Sequence, residues 1–130
     1  MELETIDLFV VSSSGNGGYT VTFDLDYPEE GLMITCSCRA GTNNTLCKHR
    51  VQLIKGDKSI FDPEMYEDRF PEEEWEMVRK IVNHYGLDNL VNEHEGKLGE
   101  LEKQKNRITA QIKAEKKALQ RKFSEGIHSL

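Results

Sequence analysis

Residues 36–49 read CSCRAGTNNTLCKH, a stretch that holds all three cysteines of the 130-residue chain and one of its four histidines. Cys36 and Cys38 are one residue apart, Cys47 and His49 are one residue apart, and eight residues separate the two pairs. A structural zinc ion takes Cys or His at all four corners of a tetrahedron, so two close-set pairs brought together by a polar loop suit one such ion. Residues two apart in an ideal helix point to nearly opposite sides. Cys47 is therefore expected at or before a helix start, with His49 in or near the first turn, where the helix N-terminus also favours the thiolate. Cys36 and Cys38 are expected to project from a turn at a strand end. The predicted order is strand, metal knuckle, flexible loop RAGTNNT, helix.

The residues before the knuckle supply the strands. ETIDLFVV is a short β-leaning run, and SSSGNGG after it is turn chemistry in which Gly15, Gly17 and Gly18 can take positive φ. YTVTFDLD alternates, with Tyr19, Val21, Phe23 and Leu25 on one face and Thr20, Thr22, Asp24 and Asp26 on the other. YPEEG signals a second turn, and LMITC reads as a third strand running into Cys36. The first third of the chain is predicted to be an antiparallel three-stranded meander.

Helices follow. TLCKHRVQLIKG has Asn44 or Thr45 as candidate N-cap and Gly56 as its end. In PEEEWEMVRKIVNHYG, Pro71 suits a helix start, three glutamates sit in the first turn and Gly86 is a natural C-cap. Trp75, Val78, Val82 and Tyr85 form one apolar stripe at spacings of three and four. From Leu87 onward the chain again reads as helix, with candidate breaks at Gly96 and Gly99; Leu98, Leu101, Ile108, Ile112, Leu119 and Phe123 lie along one side. As a heptad the a positions are Leu98, Lys105, Ile112 and Leu119, and the d positions are Leu101, Ile108, Glu115 and Lys122. An eleven-residue repeat through Leu101, Ile112 and Phe123 fits as well. The helix is expected either to fold back on its own domain or to pair with another chain.

The chain thus reads as α+β: a small antiparallel meander plus a short helix around one zinc ion, followed by a helical region ending in a long amphipathic helix. The partition is 1–58 for the zinc-binding module, 59–86 for an acidic linker and capped helix, and 87–130 for the long helix, a candidate coiled coil. No run of residues approaches a membrane span, and the N-terminus carries acids where a secretory signal carries bases. A soluble protein of the cytoplasm is expected, where a reducing environment disfavours disulfides and leaves the cysteines for metal or catalysis.

The formal charge of -6 averages over a plus, minus, plus pattern. Arg39, Lys48, Arg50, Lys55 and Lys58 face one acid, Asp57, in residues 36–58; an acidic run follows in 62–76, and a lysine-rich run in 97–122. The acidic run reads as a capped, solvated helix start.

The segment from Tyr19 to Gly56, with its TVTFD and ITCSC strands, its C-x-C and C-x-H pairs and KHRVQLIKG after them, resembles the SWIM zinc finger in a small stand-alone form, bacterial or phage-like. The resemblance matches all four family ligand positions with Cys36, Cys38, Cys47 and His49. It implies a β-hairpin and helix around zinc and a role in binding DNA or protein, and it says nothing of the helices that follow.

Other readings of the four residues are weaker. Free cysteine can be a small hydrophobe, but this loop is polar throughout. A redox dithiol at Cys36 and Cys38 leaves Cys47 and His49 unused, and the single histidine makes zinc simpler than copper or an iron–sulfur cluster. No catalytic set stands out: His84, His94 and His128 are isolated, SGNGG lacks the lysine and helix of a phosphate loop, and four protein ligands leave zinc no open position. No enzyme activity and no small-molecule substrate are expected. The favoured reading is an adaptor that binds a protein partner or self-associates through its C-terminal helix, with zinc purely structural. The alternative is DNA binding, with Arg39, Lys48, Arg50, Lys55 and Lys58 on phosphates and help from the lysine-rich helix.

Overall fold

The computed structural model of the chain describes residues 3–12 and 17–128. Three strands, β1 (Ile6–Val11), β2 (Gly18–Asp24) and β3 (Met33–Cys36), form an antiparallel sheet in the order β1-β2-β3. Residues 13–16 of the expected first turn, with Gly15, lie outside the described residues. Gly17 takes φ 74 there, the Ser12 N–H donates to the Gly17 carbonyl at 3.3 Å, and Gly18 opens β2.

The alternation in β2 decides which way the first ligand points. Val21 and Phe23 are fully buried; Val21 pairs with Leu8 on one side and with Cys36 on the other. Residues directly opposite in an antiparallel pair share a face, so burial of Val21 puts the Cys36 side chain on the core side of the sheet. The pairing continues one residue beyond β3: the Ser37 N–H donates to the Thr20 carbonyl at 3.0 Å and the Thr20 N–H donates to Ser37 Oγ at 2.9 Å.

Four α-helices follow: α1 (Arg39–Thr42), α2 (Lys48–Lys55), α3 (Glu72–Tyr85) and α4 (Leu87–Glu125). The expected RAGTNNT loop thus contains a turn of helix. Its end is tied by Thr45, whose N–H and hydroxyl both donate to the Ala40 carbonyl, at 2.9 and 2.8 Å. The N-cap of α2 is Cys47 rather than Asn44 or Thr45. Gly56 and Gly86 end α2 and α3 in the left-handed conformation, as their positions predict.

The chain divides into two units, residues 1–91 and 92–130. In the first, the packed core does not stop at residue 58. Phe61 bridges to Val10, the Asp62 N–H donates to the Phe9 carbonyl at 3.0 Å, and the Phe9 N–H donates to the Tyr66 hydroxyl at 2.9 Å. Phe61 meets Tyr66, Phe70 and Trp75 edge-on, and Trp75, Val78, Ile81 and Val82 of α3 are buried in the same cluster as the sheet. The stretch read as an acidic linker and capped helix therefore adds a wall of the core through Phe61 and Trp75. Ile81, not Tyr85, completes the buried face of α3; Tyr85 is exposed. Arg79 joins α3 to α2 by donating to the last-turn carbonyls of Leu53 and Ile54 at 3.3 and 3.0 Å, where the α2 dipole favours a cation.

In the second unit α4 runs unbroken through Gly96 and Gly99. Every described residue from Asn92 to His128 is exposed. Leu98, Leu101, Ile108, Ile112, Leu119 and Phe123 are each between 50% and 61% exposed. Among the described residues no helix is long and apolar enough to cross a membrane.

Candidate metal centre

Cys36 ends β3, Cys38 is the N-cap of α1, Cys47 is the N-cap of α2 and His49 lies in the first turn of α2. Local chain geometry thus sets each ligand at the end of an element, as the one-residue spacing within each pair requires. All four side chains are buried, and their donor atoms lie within 4.8 Å of one another. Cys36 Sγ is 3.7 Å from His49 Nδ1. A zinc tetrahedron with Zn–S near 2.3 Å has edges of about 3.8 Å, so the cluster has the dimensions of one such shell.

The surroundings fit a cation bound by thiolates. Arg50 Nε donates to Cys47 Sγ at 3.1 Å, and the Gly41 N–H donates to Cys38 Sγ at 3.3 Å. Two N–H groups aimed at sulfur are the outer support that metal thiolates commonly receive. Arg50 is held for this task by further donation to the carbonyls of Ile34 at 3.1 Å and Thr45 at 2.7 Å. Gly41 has no substitute at its position, since any Cβ there would collide with the Cys36 carbonyl oxygen. The knuckle closes only because that residue has no side chain.

Electrostatics point the same way. Burial is the largest influence on Cys36 and helps push its thiol up to about 12 when no metal is present. Burial also acts to raise Cys47, yet the Arg50 backbone and guanidinium outweigh it and bring that thiol below its ordinary value. His49 is lowered, first by burial and then by the Lys48 charge, against an opposing pull from the Val11 backbone. It is therefore neutral and ready to donate a lone pair. Its Nε2 is buried with no hydrogen-bond partner among the described residues, while Nδ1 faces the sulfurs. Tyr19 packs against the ring at 5.3 Å between centroids and helps fix its plane. A dry cluster of three thiols and an imidazole is costly to ionise alone, and a divalent cation offsets that cost directly.

The fold and the donor set define a closed, four-ligand structural zinc site built on a strand end and two helix starts. Residues 19–54 match the SWIM zinc finger family model, and that segment contains the four clustered residues, which are placed to hold one zinc ion. No curated protein and no solved structure matches the chain.

The other candidate residues differ in their surroundings. Arg39, Lys48 and Lys55 are exposed, whereas Arg50 is half-buried beneath the metal site. The Lys58 ammonium lies over the rings of Phe70 and Trp75, at 5.3 and 5.7 Å from their centroids. Sequence reasoning counted Arg50 as a surface cation and missed Gly41 and Arg79; Lys58 is exposed. One signal was available: Arg50 lies three residues after Cys47, on the same side of the helix start.

Proposed function

We propose that the protein is a non-enzymatic adaptor: a zinc-held module whose C-terminal helix binds protein. The observation that carries this reading is the apolar stripe of α4, six large side chains more or less evenly half-exposed along one helix. An exposed apolar face of that length is characteristic of an interaction surface. Zinc serves folding in this reading, since four protein ligands complete its shell.

The test uses the full zinc-loaded chain and a Leu101→Glu/Ile112→Glu variant. Loss of specific protein association in the variant, with zinc content unchanged, supports the adaptor role. Association untouched by the double substitution would remove its basis. Binding of DNA through Arg39, Lys48 and Lys55 is the second reading, supported by their exposure. It predicts a mobility shift that weakens steeply with salt and disappears when these three residues are replaced by Ala. Arg50 contributes less to that reading, because its guanidinium already donates to the Ile34 and Thr45 carbonyls.

A further inference from the structure

We propose that the surface covering the α4 stripe is a second copy of the same chain, running antiparallel, with Ala110 near the twofold axis. The proposal rests on the adaptor reading and names its partner. Three features of α4 lead to it.

First, the stripe is nearly symmetric about its middle. Set head to tail around Ala110, Leu101 of one copy lies opposite Leu119 of the other and Ile108 opposite Ile112, while Leu98 falls opposite Lys122, one residue short of Phe123. An isologous interface requires this self-complementarity, in which residue i meets j and j meets i.

Second, the interruptions of the stripe become partners. Lys105 and Glu115 are the polar residues that spoil the inner part of the heptad seam. In the antiparallel register each Lys105 faces a Glu115 of the other copy, twice per dimer. In a parallel register Lys105 would face Lys105 and Glu115 would face Glu115. Polar residues at seam positions are a recognised means of fixing register and orientation. Within its own helix Lys105 makes only a long, exposed pairing with Glu102, 3.9 Å, which leaves little to lose.

Third, the whole helix is polarised. From Asp88 to Glu102 it carries five acids against Lys97, and from Lys103 to Glu125 eight bases against Glu115 and Glu125. Antiparallel pairing lays the acidic half of one copy along the basic half of the other, and parallel pairing sets like beside like. The paired stretch is about 38 Å long at 1.5 Å per residue, long enough for a two-helix seam.

The experiment is sedimentation of the zinc-loaded full chain at micromolar concentration, followed by distance measurement between spin labels on Ser124→Cys, with the unsubstituted chain as the labelling blank. Ser124 lies opposite Gly96 in the antiparallel register, so the two labels should be about 42 Å apart along the helices. A parallel dimer would hold them within about 20 Å and would overturn the proposal, as would a monomer. Lys105→Glu should weaken dimerisation about tenfold, and Lys105→Glu/Glu115→Lys should recover it. In a parallel seam the single substitution merely exchanges one repulsion for another, so an unchanged dimer constant also counts against the antiparallel arrangement. The adaptor role fails separately: a monomer whose protein association is still abolished by Leu101→Glu/Ile112→Glu keeps the adaptor and loses only the second copy as partner.

Discussion

Residues 3–91 and residues 92–128 use their large apolar side chains in opposite ways. In the first stretch Leu8, Val21, Phe23, Leu53, Val78 and Ile81 are wholly buried; in the second the six residues of the α4 stripe are half-exposed. Both stretches show clear periodicity, of two in β2 and of three to four in α3 and α4. Periodicity therefore reports that an apolar face exists, while its cover is decided elsewhere: by sheet pairing, by the aromatic segment 61–75, and by a metal shell in the first stretch. Within the second stretch no described residue belongs to a strand or to the metal-ligand cluster. Its stability as a helix must draw on local propensity, exposed pairs such as Lys97 with Glu93 at 3.3 Å, and whatever binds its stripe.

Zinc removal should break the contrast most completely. Binding energy in a small metal module is folding energy, so chelation or Cys47→Ser should abolish the cooperative unfolding transition of the first stretch. Trp75, the chain's one tryptophan, is buried there and reports it by fluorescence. A transition that survives chelation unchanged would show that the core stands without metal. Acid should act in the same direction. His49 is depressed by burial, so its contribution is present above its ordinary value of 6.5 and is lost as pH falls from there toward the lower folded value. Each zinc-bound thiolate must also be reprotonated, so the zinc needed for folding should rise steadily as pH drops. If the transition did survive chelation, that metal-free fold would lose stability above the ordinary 9.0 as Cys36, raised to about 12, is forced to ionise. Zinc, which already holds the thiolate, should remove that alkaline loss.

Next in size is the core itself. Leu53→Ala in the zinc-saturated chain should cost about 2–5 kcal/mol in a urea titration followed at Trp75, since Leu53 is fully enclosed and the cavity cannot collapse freely. A loss below about 1 kcal/mol would mean that α2 is held by its ligands alone. The outer support of the metal is a smaller matter. Arg50→Ala removes the donor to Cys47 Sγ and should weaken zinc about 10–100-fold in a chelator competition, with Arg50→Lys failing to restore it because the three-way fork is lost.

The sequence makes the metal ligands and the three strands legible because their spacing admits few geometries. Cys47 at a helix start and His49 in the first turn follow from the C-x-H spacing, and the β2 alternation announces its buried face. What it hides depends on approach between distant residues. Gly41 looks like an ordinary loop glycine until the Cys36 carbonyl is seen against it. Arg50 looks like a solvated cation until the Ile34 carbonyl comes near it. The acidic run 62–76 masks the fact that Phe70 and Trp75 within it pack on Phe61. Charge is visible at every position, whereas the partners that redirect a side chain inward belong to segments far along the chain.

The smallest effect is the sharpest test of the contrast. Ile112 carries as large an apolar side chain as Ile81, yet half of it meets solvent whereas Ile81 is fully buried. Followed at Trp75, Ile81→Ala should destabilise by several kcal/mol, and Ile112→Ala should change unfolding by no more than about 0.5 kcal/mol, the range of an ordinary surface substitution. The same Ile112→Ala should register in association, because a residue that contributes nothing to its own fold contributes through the surface it meets. If Ile112→Ala lowered the Trp75 transition as Ile81→Ala does, the stripe would be part of the folded core, and the division between a packed half and a presented half would be lost.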